Sequence, residues 1–347
     1  MMDKKEKASV MLSEDGSSLV LLDQTLLPGE EKYLYLKTAE EIWEAIHSLR
    51  VRGAPAIGIA AAYGIYVILN EEKNEIDRKF KEARVFLESS RPTAVNLSWA
   101  LERMQRCMES NAGKSVLDIK EALRREADDI RQEDEDVCRA IGINGLTLLS
   151  PKMGILTHCN AGGIATARYG TALAPVYLGS EKGYSFKVFA DETRPLMQGA
   201  RLTVWELMKH GIDVTLICDS AAATVMSKGW IDAVLVGCDR VAMNGDTANK
   251  IGTKGVAILA KEFSIPFYVC CPLSTIDKNM AAGKDIVIEE RPGEEIYKRN
   301  FIKQTAPDDV KTFNPAFDVT DNRYISAIVT EKGIIRHPYE ENLKRIL

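Results

Sequence analysis

Hydrophobic and polar positions follow two different rhythms along this chain. In the first 37 residues, short apolar runs at Ser18 to Leu22 and Tyr33 to Leu36 flank Pro28-Gly29, a turn signal, and predict a small β unit. Thr38 followed by Glu41 has the form of a capping box and predicts a helix running to Arg50. Helical spacing continues through Ala54 to Leu69, Glu75 to Glu88, Ala94 to Glu109 and Ser115 to Leu148. The segment Ala54 to Leu69 carries no charge, but it is short for a membrane span and rich in glycine and alanine. It reads as a buried helix packed closely through small side chains. The charges of both signs between Arg124 and Arg139 read as a solvated face of a long helix joining two domains.

The second half changes rhythm. Apolar runs at Gly154 to Thr157, Phe186 to Ala190, Asp213 to Cys218, Ala233 to Val236 and Pro266 to Cys270 alternate with helical segments such as Ala200 to Lys209 and Gly255 to Phe263. Alternating strands and helices predict a parallel sheet with helices on both faces, and unbroken apolar runs predict strands buried on both sides. The expected fold is therefore α/β. A small N-terminal β-plus-helical domain over residues 1–125 precedes a Rossmann-like, parallel-sheet catalytic domain over 126–347.

Composition narrows the class. Hydrophobic residues are 46% of the chain and charged residues 27%, a globular balance. A net charge of -5 argues against nucleic acid as a partner. Met1 to Lys7 is charged and leads into no apolar core of signal-peptide length, so the expected location is cytoplasmic, away from membranes. Seven cysteines at irregular spacings and four histidines without a close pair argue against a disulfide framework and against a metal site. Asn160-Ala161-Gly162-Gly163-Ile164-Ala165 is neither a dinucleotide fingerprint nor a Walker A loop, so no cofactor is expected, although its backbone N–H groups could meet a phosphate or an oxyanion.

The apolar runs end in polar clusters: His158-Cys159-Asn160, Asp191-Glu192-Thr193-Arg194, Asp219-Ser220, Gly237-Cys238-Asp239-Arg240 and Cys271-Pro272-Leu273-Ser274. Ligands of open parallel sheets bind at the carboxyl ends of the strands, so these clusters point to one cleft. Cys159 is placed as though just before a helix, where the helix N-terminus would favour a thiolate; a buried structural cysteine is the alternative. Asp239, at the mouth of an apolar run, is expected to be partly desolvated and able to hold a proton; a helix cap or an ion pair with Arg240 is the alternative. Asn249 and Lys250, expected in a loop, could bind a sugar hydroxyl and a phosphate. Gln198 offers an amide. Arg52 and Arg91 each precede a helix, where an anion could bind, and Gly53-Ala54 would let a ligand approach the backbone.

Taken together, Arg52-Gly53-Ala54-Pro55-Ala56-Ile57-Gly58, Arg91-Pro92-Thr93-Ala94-Val95-Asn96-Leu97, His158-Cys159-Asn160-Ala161-Gly162, Gly237-Cys238-Asp239-Arg240 and Asn249-Lys250-Ile251-Gly252-Thr253 resemble the signature of the methylthioribose-1-phosphate isomerases, in the same order. The resemblance runs from about residue 17 to 340. It implies an aldose–ketose isomerase of methionine salvage that converts 5-methylthioribose 1-phosphate into 5-methylthioribulose 1-phosphate and works as a homodimer without cofactor. By position it makes Asp239 the proton donor and Cys159 the second catalytic residue. Arg52, Gly53, Ala54, Arg91, Gln198, Asn249 and Lys250 become substrate-binding positions. Two relatives of that family offer other readings. A ribose 1,5-bisphosphate isomerase would need a second anion site, and a translation initiation factor 2B-like regulatory subunit would need no acid–base pair. Whether hydrogen moves from C2 to C1 through an enediol with Cys159 as base, or as a hydride, stays open at this level.

Overall fold

The first apolar runs pair as the β pattern predicts. The computed structural model describes residues 7–92 and 94–347; Thr93 and Met1 to Glu6 lie outside the described residues. Strands β1 (Val10–Leu12), β2 (Leu19–Leu22) and β3 (Tyr33–Leu36) form an antiparallel sheet in the order β1-β2-β3. The helices that follow are α1 (Ala39–His47), α2 (Ala54–Leu69), α3 (Ile76–Glu88), α4 (Val95–Ser110) and α5 (Val116–Leu146). The capping box opens α1: Glu41 N–H donates to Thr38 Oγ1 at 3.2 Å, and the Glu41 carboxylate accepts from Thr38 N–H at 3.1 Å.

Helix α2 is buried along almost its whole length, as expected of a helix apolar on every face. Its glycines let neighbours in: a Cβ on Gly58 would stand 2.9 Å from the carbonyl oxygen of Asn96 in α4. Among the described residues, no helix is long and apolar enough to cross a membrane. The charges of α5 are not only solvated, because Arg103 of α4 pairs with Glu126 and Glu133. Among the described residues, one unit holds 7–137 together with Gly163–Gly170; the other holds Cys138–Gly162 and Thr171–Leu347.

The second unit contains, in chain order, β4 (Gly154–Thr157), α6 (Ala174–Glu181), β5 (Lys187–Asp191), α7 (Val204–Lys209), β6 (Asp213–Ile217), α8 (Ala222–Ser227), β7 (Ala233–Val236), β8 (Arg240–Ala242), β9 (Thr247–Lys250) and α9 (Thr253–Glu262). These are followed by β10 (Phe267–Cys270), β11 (Ile276–Asp277), α10 (Glu294–Tyr297), β12 (Phe317–Thr320), β13 (Ala327–Thr330), β14 (Gly333–Ile335) and α11 (Tyr339–Ile346). Seven strands form one sheet in the order β14-β13-β10-β7-β4-β5-β6, parallel except for β14. Strands β4, β7 and β10 are wholly buried, which explains their unbroken apolar sequence. Strand β6 departs from that expectation. It is the edge strand, and its residues are exposed or half-buried.

The sequence pattern gave no sign of the second sheet, β11-β8-β9-β12. Its strands are two to four residues long and partly polar, too short for a periodic signal. Residues 200–209, expected to form one helix, begin instead as a π-helical turn over Gly199–Thr203 and become α-helical only in α7.

Candidate active site

The parallel sheet reverses its direction of growth beside β4. Strands β5 and β6 extend it one way, while β7, β10 and β13 extend it the other. Thr157 of β4 lies in register with Ala190 of β5 and with Leu235 of β7. The chain leaving β4 as His158-Cys159-Asn160 therefore emerges at the topological switch point, where open α/β sheets bind ligands. Asp239 follows β7 on the adjoining strand. Its N–H donates to Ala248 O at 2.9 Å. Arg240 pairs with Ala248 across β8 and β9, so one step further along the same ladder sets Asp239 opposite Asn249. Lys250 ends β9. The fold of this unit thus brings Cys159, Asp239, Asn249 and Lys250 to one end of the sheets. Gln198 follows β5, is buried, and has a side-chain oxygen with no hydrogen-bond partner among the described residues.

Cys159 has a left-handed backbone, with φ at 65°. That conformation costs an L-residue about 1–2 kcal/mol. Two threonines hold it: Cys159 N–H donates to Thr193 Oγ1 at 2.8 Å, and Thr203 Oγ1 donates to Cys159 O at 2.7 Å. Each bond contributes about 0.5–1.5 kcal/mol, enough together to offset the backbone cost. The expected helix after Cys159 is absent. A three-residue 3-10 turn, Gly163–Ala165, is the next regular element, and α6 begins only at Ala174. No helix dipole acts on the thiol from that side. Gly162 packs against one of the chain's own carboxylates, since a Cβ on it would stand 2.0 Å from Glu206. Buried Glu206 accepts from Asn160 Nδ2 and, at 2.8 Å, from the Tyr177 hydroxyl.

His158 is buried and clamped on both sides. Nε2 lies 2.9 Å from Ile251 O, and Nδ1 lies 2.9 Å from Asp191 Oδ2. A carbonyl only accepts, so Nε2 carries a proton, and a second proton is shared between Nδ1 and Asp191. Burial pulls the imidazolium pKa down, but the hydrogen bond and charge of Asp191 outweigh it and the net shift is upward. Burial pushes Asp191 up, against the pull of His158. With both nitrogens committed, His158 has no lone pair to offer a substrate. His158, Asp191 and Asp219 each place one ligand atom within 4.8 Å of the others. Most of their oxygens and nitrogens already serve hydrogen bonds: the Asp219 oxygens accept from Thr193 N–H and Arg194 N–H, each at 2.8 Å, while Asp191 Oδ1 is buried with no hydrogen-bond partner among the described residues. The trio is a loop clamp in its bonding.

Three further expectations change. Asp239 is exposed, where a partly desolvated carboxyl was expected. Its neighbour Arg240 pairs with Asp277 at 3.1 Å. Asn249 and Lys250 belong to a strand rather than a loop. Asn249 Nδ2 donates to Thr253 Oγ1 at 3.0 Å; Lys250 Nζ donates to Ala316 O at 2.8 Å and sits 4.3 Å over the Phe317 ring. The N-terminus of α9 is occupied by the chain's own anion, since Asp318 accepts from Gly252 N–H at 2.8 Å and Lys254 N–H at 3.0 Å. Burial raises the pKa of Asp318 against those two bonds.

Arg52, Gly53, Ala54 and Arg91 belong to the first unit. Gly53 precedes α2 with φ at 94°, and a Cβ there would stand 2.3 Å from Ala165 O. Its missing side chain thus serves the chain's own close packing. Arg91 precedes α4, and its carbonyl accepts from Ala94 N–H at 3.0 Å. Sequence reasoning missed Thr203 and Glu206 altogether. It saw His158, Asp191, Thr193 and Asp219 only as members of polar clusters, because pairing between clusters depends on strand order.

Residues 50–337 match the family described as "Initiation factor 2 subunit family". A methylthioribose-1-phosphate isomerase of Symbiobacterium thermophilum is 60% identical over 99% of this chain and 96% of its own. A 5-deoxyribose 1-phosphate isomerase of Petrotoga mobilis is also 60% identical, over 97% of this chain and 98% of its own. Two crystal structures share the fold. The 5-methylthioribose 1-phosphate isomerase of Pyrococcus horikoshii has a TM-score of 0.94 at 42% identity, covering 99% of this chain and 96% of the other. The translation initiation factor eIF-2B, subunit delta, of A. fulgidus has 0.92 at 44%, covering 98% and 99%.

Proposed function

We propose a function for a chain that belongs to the Initiation factor 2 subunit family: it is a sugar-phosphate aldose–ketose isomerase that converts 5-methylthioribose 1-phosphate into 5-methylthioribulose 1-phosphate. The observation that carries the catalytic assignment is topological. A cysteine and a carboxylate leave neighbouring strands at the switch point of the parallel sheet, and a binding strand ending in Asn249-Lys250 lies beside the carboxylate. A regulatory subunit would need no such pair.

The substrate poses a specific chemical problem. Phosphate on the anomeric oxygen prevents the spontaneous ring opening of free sugars, so the enzyme must open the ring while keeping the phosphate. Asp239 donates a proton to the ring oxygen. Its exposure makes it reachable, and a bound substrate would supply the low-dielectric surroundings that strengthen such a donor. Cys159 acts on the reacting carbons. The buried amide oxygen of Gln198 accepts from a sugar hydroxyl, Asn249 bonds another, and Lys250 gives a point charge to the phosphate. Arg52, Gly53, Ala54 and Arg91 join the binding set on the strength of their motifs. The same motifs support a homodimer, a place in methionine salvage and chemistry without cofactor, and the free cysteines support the cytoplasm.

Cys159→Ser or Asp239→Asn should lower kcat by about 10²–10⁴ with the fold intact; near-normal turnover by either variant would remove it from the site. During turnover, exchange of the C2 hydrogen with solvent deuterium supports an enediol, with Cys159 as base. Retention supports a hydride shift or a shielded base. A second substrate reading has its own support, since an equally similar relative is named for 5-deoxyribose 1-phosphate. That sugar lacks the methylthio group at C5, and burial of even one methylene discriminates by about 10–200-fold. Comparing kcat/KM for the two sugars decides between them. Purified chain that turns over neither would favour a regulatory role.

A further inference from the structure

We propose that the hydroxyls of Thr193 and Thr203 are positioning groups that aim the Cys159 thiol, an inference resting on the reading of Cys159 as catalytic. Both threonines are fully buried, and they grip the same residue from opposite sides. Thr193 Oγ1 accepts from Cys159 N–H at 2.8 Å and donates its single proton to Asp191 O at 3.1 Å. Thr203 Oγ1 accepts from Asn160 Nδ2 at 3.1 Å and donates its single proton to Cys159 O at 2.7 Å. Each hydroxyl therefore has its direction fixed by a second partner.

Cys159 needs this grip because its φ is 65°, where only glycine rests without strain. Reversion to an extended or right-handed backbone would swing Cβ, and with it the thiol, onto another heading. The two threonines are themselves anchored. Thr193, with φ at 64°, has its N–H held by Asp219, and Gly199 lies so close that a Cβ on it would meet Asp191 O at 1.7 Å. Thr203 closes the π-helical turn over Gly199–Thr203. π-turns commonly mark functional positions, because the extra residue re-aims one side chain at the cost of regular bonding. Here the residue so placed touches the cysteine backbone, not open space.

The test contrasts Val with Ser at each position. Val keeps the branch and removes the hydroxyl; Ser keeps the hydroxyl and removes the methyl. Thr203→Val and Thr193→Val should each lower kcat by about 10–100-fold, the range for a misaimed reacting group, with KM within about threefold. Thr203→Ser and Thr193→Ser should restore kcat to within about threefold of wild type. A packing role predicts the reverse order, with Val benign and Ser damaging, and that order would overturn the proposal. A second readout needs no turnover: the rate of Cys159 alkylation by iodoacetamide, followed by mass spectrometry of its peptide. It should change about fivefold or more in the Val variants and little in the Ser variants, with the exposed Cys218 as internal control. If Cys159→Ser keeps full turnover, the catalytic reading fails, while alkylation still reports the positioning. Should Thr203→Val not fold, the Cys159→Gly background should rescue it, since glycine needs no hold at this φ. Failure in both backgrounds, or unchanged alkylation, would overturn the proposal.

Discussion

Gly252 separates the binding strand from α9, and replacing it by alanine tests how tightly His158 ties the loop. Its φ is 104°, which costs a residue with a Cβ about 1–3 kcal/mol. The added Cβ would also stand 2.8 Å from His158 Cε1 and 2.9 Å from Nε2. A buried ring cannot yield that space without lengthening the 2.9 Å bond from Nε2 to Ile251 O. A hydrogen bond from a charged donor is worth about 1.5–3 kcal/mol. Gly252→Ala should therefore cost about 2.5–6 kcal/mol, a large share of the ~5–15 kcal/mol that holds a typical domain. Urea denaturation measures it, and a cycle with His158→Ala apportions it. Without the ring, Gly252→Ala should cost only the backbone share of about 1–3 kcal/mol. Equal costs in the two backgrounds, within about 0.5 kcal/mol, would refute the reasoning that the ring contact matters.

Other outcomes follow from single groups. Burial pushes the Glu295 carboxyl up, but the hydrogen bond and charge of Arg291, joined by Arg299 and Asn314, hold it below the ordinary glutamate value. Its contribution is therefore present above about pH 4.3 and lost as pH falls through the lower folded value. The Tm gap between wild type and Glu295→Gln should be wide at pH 7 and close as the solution is acidified below about pH 4; a constant gap contradicts the assignment. Lys250→Ala should raise KM for the sugar phosphate with kcat within a few-fold, in steady-state assays, because the side chain supplies binding charge. A fall in kcat with unchanged KM would move Lys250 into the chemistry.

The buried parallel strands were legible because burial on two faces leaves an unbroken apolar run, as in Ala233 to Val236, whose predicted and observed limits coincide. Helix α2 was legible for a similar reason, and its limits also coincide. The second sheet was hidden because Arg240–Ala242 and Ile276–Asp277 are shorter than any period that could reveal them. At the site, Cys159 and Asp239 could be read as strand-end residues. Their being neighbours could not, because it follows from β7 pairing with β4 in space although β5 and β6 intervene in sequence. The same limit concealed Thr203, which sits at an irregular turn where a plain helix was expected. The helix inferred after Cys159 failed because Asn160-Ala161-Gly162-Gly163 looks like a helix entry but turns to meet Glu206.

The two polar residues at the switch point differ in exposure, and the difference suits the roles proposed for them. Asp239 is an exposed residue whose N–H bonds Ala248 O where the β8–β9 ladder begins. A proton donor must reach a ring oxygen and be reprotonated from water between turnovers, and exposure serves both needs. Cys159 is half-buried, on a backbone that a glycine would occupy at less cost. A side chain retained at such a φ, with N–H and C=O each held by a buried hydroxyl, places strain where direction matters. If the thiol were only filler, Cys159→Gly would relieve that strain and stabilise the protein. If its heading is what the fold preserves, the same change should gain stability and lose turnover together. Thermal melts and kinetics on one variant would show whether those two effects are coupled.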